Sequence, residues 1–150
     1  MTTESSLEMR ALRYLARREY SRMELKKKLV SSSPATAPAE VSDLLDKLEQ
    51  RGFLSARRVV EQVIQMRRHK FGSQRIVHEL KQKGIDEHLI NDALPDLKET
   101  ELAAAYDVWR KKFNVLPTNI KESSKQTRFL LSRGFSMTVI HQIFTHADPE

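Results

Sequence analysis

Apolar residues recur along this chain at intervals of three and four, and nowhere do they alternate with polar residues for long. That spacing predicts amphipathic helices and no strands. One stretch repeats. Residues 80–94 carry Leu80, Gly84, Ile85, Asp86, Ile90 and Leu94, and residues 130–144 carry Leu130, Gly134, Phe135, Ser136, Ile140 and Phe144 at identical spacing. In each copy the glycine can take the left-handed conformation that closes a helix. The apolar residue after it can fold back on that helix end. Asp86 or Ser136 can cap the next helix, and the last two apolar residues, four apart, share one helix face. A looser third copy lies upstream: Leu25 and Leu29 match Ile76 and Leu80, and Leu44 and Leu48 match Ile90 and Leu94. The proline-containing insertion Ser31–Pro38 separates its halves and reads as a loop.

Start and stop signals divide the chain further. Ser5-x-x-Glu8 and Ser21-x-x-Glu24 read as capping boxes, Gly52 as a helix end, and Gly72-Ser73 as a break between two basic helices. The resulting expectation is nine helices, at about 5–18, 22–31, 38–51, 56–70, 74–83, 87–95, 99–114, 119–133 and 137–146. Short turns between them favour small helical units stacked in a row. The predicted fold is therefore all-α, an elongated, curved array of three tandem three-helix repeats: 1–54, 55–98 and 99–150.

Composition agrees with thin layers rather than a thick core: 39% of residues are hydrophobic and 31% charged. With no cysteine, a disulfide scaffold, a thiolate zinc site and a cysteine nucleophile are excluded. The four glycines form neither GxxxxGK[ST] nor GxGxxG, which argues against an ATPase or dinucleotide enzyme. His69, His78, His88, His141 and His146 include no i, i+4 pair and read as structural or surface residues. No catalytic constellation, metal or cofactor is expected; an enzyme would need a polar pocket, for example around His78 and Glu79. No apolar run has membrane-spanning length, and the N-terminus has no signal-peptide pattern. The expected location is the cytoplasm.

The net charge is +6, which suits an acidic or polyanionic partner. It is unevenly spread. Arg10–Lys28 and Arg57–Lys83 each hold eight cations against two acids, whereas acids gather in Glu40–Glu49 and Asp86–Glu101. The candidate binding surface is Arg17, Arg18, Arg22, Lys26, Arg67, Arg68, Lys70 and Arg75, because arginine at such places can grip phosphate or carboxylate with a fork of donors. Satisfying helix C-termini is the plainer role for some of them. Tyr14, Tyr20, Phe71 and Trp109 lie near these cations and can stack on bases; core packing is the expectation for Trp109.

Residues 15–29, LARREYSRMELKKKL, resemble the opening signature of the RecX family of regulatory proteins, L-x-x-R-E-Y-S-x-x-E-L-x-x-K-L, which falls on Tyr20, Ser21, Glu24, Leu25 and Leu29. Leu48–Leu54 is similar to the family's turn at Gly52, and Arg67–Ile85 to its R-x-x-x-x-G-x-x-R-I-x-x-E-L-x-x-K-G-I core, with Gly72, Leu80, Gly84 and Ile85 in place. Beyond residue 100 the likeness rests on the repeat, including Gly134. The resemblance implies tandem three-helix repeats. It also implies a protein without catalytic activity that binds along the groove of the RecA–DNA filament, limits RecA's recombinase, ATPase and co-protease activities in homologous recombination and the SOS response, and contacts single- and double-stranded DNA weakly; a monomer is the expected state. Ser55-Ala56 stands where the family usually carries acids, so any partner interaction made by those acids would be missing here. The rival reading is a helix-turn-helix protein that presents Gln74, His78, Lys81 and Gln82 to duplex DNA.

Overall fold

The computed structural model describes residues 3–146. They form eight helices and no strand: α1 (Thr3–Arg17), α2 (Arg22–Ser32), α3 (Pro38–Gln50), α4 (Ala56–Arg67), α5 (Ser73–Gln82), α6 (Glu87–Lys112), α7 (Ile120–Ser132) and α8 (Met137–His146). The order follows the three-helix repeat pattern, with α6 serving the second and third repeats in turn. Two starts and stops differ from expectation. α1 already begins at Thr3, so Ser5 lies inside the helix and cannot be its N-cap residue. The break expected between residues 95 and 99 does not occur; α6 runs through Pro95 as one helix of 26 residues. Pro95 removes one backbone donor, but Leu97, Glu101, Ala104, Ala105 and Trp109 are all buried along one stripe, and that burial fixes helical periodicity across the proline.

The helix caps follow the sequence. Gly84 and Gly134 have φ of +77° and +91°. At the second of them the Gly134 amide donates to Leu131 O (2.9 Å) and the Phe135 amide to Leu130 O (3.2 Å), a doubly bonded helix stop with Phe135 fully buried. Asp86 accepts from the His88 amide (2.8 Å) and Ser136 from the Val139 amide (3.2 Å). Ser55 accepts from the Arg58 amide (3.2 Å) and caps α4.

The chain divides into two compact units, Met1–Gln62 with Lys81–Leu89, and Val63–Leu80 with Ile90–Glu150. The first unit's core joins Leu7 and Ala11 of α1 to Tyr20, Leu25, Leu29, Val41, Leu44, Leu45, Leu48 and Leu54. The second unit's core includes Ala104, Ala105, Trp109, Leu130, Phe135, Ile140 and Ile143. There the Trp109 indole N–H donates to Gln126 (2.8 Å), whose amide donates in turn to Val115 O (2.9 Å). Trp109 is thus a core residue, as expected. In the same unit α5 is capped from outside: the buried Glu101 carboxylate accepts from the Ser73 amide (3.2 Å) and hydroxyl (2.9 Å).

Candidate functional site

In the first unit the signature residues build a joint. Ser21 caps α2 by accepting from the Glu24 amide (3.1 Å), and Glu24 accepts from the Ser21 amide (3.0 Å). Tyr20 is buried against Tyr14, with 5.9 Å between ring centres, and the Arg18 guanidinium lies 3.6 Å over the Tyr20 ring. Glu24 also accepts from Lys83 (2.9 Å) and pairs with Arg18 (3.2 Å). Partial burial alone would raise the Glu24 carboxyl, but the Ser21 amide, Lys83 and Arg18 outweigh it and hold the pKa below its ordinary value. Glu19 of the signature binds Arg58 (2.9 Å).

Arg22 is committed too. It pairs with Asp46 (2.7 Å) and Glu49 (2.6 Å) of α3. The Glu49 hydrogen bond is the main reason that its pKa is raised. Arg10 bonds Ser32 O (2.9 Å) and Ser33 Oγ. The acids of the closing helix thus neutralise part of the basic leading half. Of the candidates in this unit, Arg17 and Lys26 are exposed and form no ion pair among the described residues. Lys27 and Lys28 extend that exposed run on α2.

In the second unit Arg67 pairs with Glu79 (3.1 Å), and Arg68 with Asp96 (3.5 Å) and Thr100 (2.8 Å). Arg75 donates to Ser132 O (3.1 Å) and lies 4.2 Å from the Phe71 ring centre. Lys70 is exposed and unpaired among the described residues. The structure brings Arg67 and Arg75 to Phe71, and adds Arg133, which charge clustering along the sequence does not single out. The available signal was the repeat itself, since Arg133-Gly134 stands fifty residues after Lys83-Gly84. Gly72 is buried in the same place: its amide donates to Arg133 O (2.8 Å), and the Gln74 amide donates to Gly134 O (3.2 Å). The described residues contain no cluster of three or more His, Cys, Asp or Glu able to hold a metal, and no helix long and apolar enough to cross a membrane.

Fold and surface together define a helical-repeat protein, built of three-helix modules and carrying exposed cations in each compact unit. Residues 57–94 match the second three-helix domain of RecX, and residues 99–144 match the third. Similarity to regulatory RecX proteins extends over nearly the whole chain. It is 46% identical to the protein of Leptothrix cholodnii, covering 97% of this chain and 91% of the relative. It is 39% identical to that of Ralstonia pickettii, covering 95% and 89%. The crystal structure of RecX from Lactobacillus salivarius superposes with a TM-score of 0.80 at 22% identity, covering 95% of this chain and 94% of that one. The chain belongs to the RecX family.

Proposed function

We propose that this protein binds the RecA–DNA filament in the cytoplasm and limits RecA's recombinase, ATPase and co-protease activities, as a monomer and without catalysing a reaction of its own. The observation that carries this reading is the full-length likeness to regulatory RecX proteins. Repeats 1–54, 55–98 and 99–150 are the modules that meet successive filament subunits, and several weak contacts of this kind add up to firm binding. Among the eight candidate cations, Arg17, Lys26 and Lys70 are exposed and their side chains make no ion pair or hydrogen bond among the described residues, so they are the first to test against RecA. DNA is a second, weaker partner. The helix-turn-helix rival has one observation in its favour, the exposure of Gln74, His78, Lys81 and Gln82 on α5.

The test is ATP hydrolysis by RecA on single-stranded DNA with substoichiometric protein added. Hydrolysis should fall, and R17E/K26E/K70E should need at least about tenfold more protein for the same effect, because three reversed charges act on one polyanionic or acidic target. Its helicity should be unchanged. Unaltered hydrolysis at saturating protein rejects the proposal; footprinting that protects a defined duplex sequence without RecA favours the rival.

A further inference from the structure

Four cations and two aromatic rings interleave on the second unit. The Arg75 guanidinium lies 4.2 Å from the centre of the Phe71 ring, Arg133 5.6 Å and Arg67 5.9 Å. Arg133 is also 5.0 Å from the centre of the Phe129 ring, which Lys112 approaches to 5.4 Å. Sharing one ring places Arg75 and Arg133 within about 10 Å of each other, inside the screening length at 0.1 M salt. The carboxylate paired with this cluster is Glu79, on Arg67. The ring faces offset some of the repulsion.

Among the described residues the Arg133 guanidinium makes no hydrogen bond, and Arg75 spends one donor on Ser132 O. Each guanidinium has five N–H groups, so most point to no protein acceptor. The groups are nonetheless held in position, Arg75 by Ser132 and the ring, Arg67 by Glu79. A small cavity of about 120 Å³ opens between Arg67, Phe71, Arg75, Ile76 and Glu79.

We propose that Arg67, Arg75 and Arg133, gathered on Phe71, grip the phosphates of single-stranded nucleic acid. This rests on the reading above that DNA is among the partners, and locates the contact. Single strands offer both phosphate oxygens for the guanidinium forks and base faces that stack on aromatic or guanidinium planes. An acidic protein surface offers carboxylate oxygens in place of the phosphates but no succession of bases, and the interleaved rings favour the strand.

The test is anisotropy of a labelled oligothymidine, without RecA, against salt concentration. Removing one phosphate-binding group should lower the slope of log K against log salt by about 0.7, which is about fivefold in affinity at 0.1 M salt relative to 1 M. R133Q should show one such step and R67Q/R75Q/R133Q two or three. R110Q, which removes the same charge from an exposed position outside the cluster, should show none, and R133K should recover the slope. If the triple variant does not fold, R133Q decides, because it loses no side-chain hydrogen bond. A wild-type slope for R133Q overturns the proposal. So does unchanged oligothymidine binding together with weakened binding to RecA, which would assign the cluster to an acidic protein surface. Weakened oligothymidine binding by a protein with no effect on RecA would leave this inference standing and sink the function proposed above.

Discussion

A methyl group added at Gly134 tests the packing of the second unit. Gly134 has φ +91°, and a Cβ there would meet the Arg75 backbone nitrogen at 2.7 Å. Two costs combine: the left-handed conformation costs a non-glycine residue about 1–2 kcal/mol, and overfilling a packed site costs about 1–3 kcal/mol. Gly134→Ala should therefore lose about 2–5 kcal/mol, a large part of the roughly 5–15 kcal/mol that holds a typical domain together. Gly52 supplies the control. Its φ is +80°, but nothing lies within 4 Å of the added Cβ, so Gly52→Ala should show the conformational cost alone, about 1–2 kcal/mol. Gly72 supplies the converse, a clash without left-handed backbone: its Cβ would land on the Gly134 carbonyl and 2.6 Å from the Phe135 nitrogen.

Urea unfolding followed by circular dichroism reads all three. With a slope of about 2 kcal/mol per molar, Gly134→Ala should lower the midpoint by about 1–2.5 M and Gly52→Ala by less than about 1 M. Gly72→Ala and Gly134→Ala disturb one contact, so the double variant should fall short of the summed losses by more than about 0.5 kcal/mol. Equal midpoints for the Gly52 and Gly134 variants, or strict additivity of the pair, would show that the close approach of the two glycine turns is not real.

Three further outcomes follow from the polar contacts. Because the folded pKa of Glu24 lies below its ordinary value of 4.5, its contribution to stability is fully present above that value and is lost as pH falls through the folded one; Glu24→Gln should lower stability at pH 7 and flatten the acid limb of a melting-temperature profile, and a parallel limb would refute the assignment. Removing either partner of the Ser73–Glu101 cap, by Ser73→Ala or Glu101→Gln, should cost about 1–3 kcal/mol, with a coupling above about 0.5 kcal/mol in a double-mutant cycle; independent effects would mean that the carboxylate does not hold the start of α5. Trp109→Phe leaves Gln126 without its indole donor and should lose about 1–3 kcal/mol in a chemical melt, whereas a loss below about 0.5 kcal/mol would argue against the buried bond.

What was legible in the sequence was local. Gly84 and Gly134 close helices, and Asp86, Ser136 and Ser21 cap the next ones, because a cap joins groups two or three residues apart and leaves its mark in adjacent letters. The repeat gave away the core for the same reason, since Leu25, Leu29, Ile76, Leu80, Leu130 and Ile140 recur at helical spacing and are all buried. The continuity of α6 was hidden because Pro95 and the charged residues around it read as a boundary, while the burial that overrules them comes from distant segments. The ionic partners were hidden likewise. Arg22 meets Asp46 and Glu49, and Glu24 meets Lys83, pairings across 24, 27 and 59 residues that no spacing rule announces. Counting cations therefore overstated the charge available to a partner.

That overstatement bears on what the family signature means. Its most recognisable letters are consumed inside the protein: Tyr20 in the core, Ser21 and Glu24 in a cap, and Arg18 on Tyr20 and Glu24. A side chain buried or fully bonded at home has little left to offer elsewhere. The signature consequently reports the three-helix module, and the choice of partner falls to residues outside it or at its margins, such as Arg17, Lys26, Lys70 and Arg133. Changes in the two sets should then separate cleanly. Tyr20→Ala or Glu24→Ala should lower the unfolding midpoint and reduce activity only as far as the folded fraction falls, whereas reversing the exposed cations should leave the midpoint within about 0.5 kcal/mol of its original stability and weaken binding with a strong dependence on salt. A signature variant that stayed fully folded yet lost its partner would break this separation and return Tyr20 or Glu24 to the binding surface.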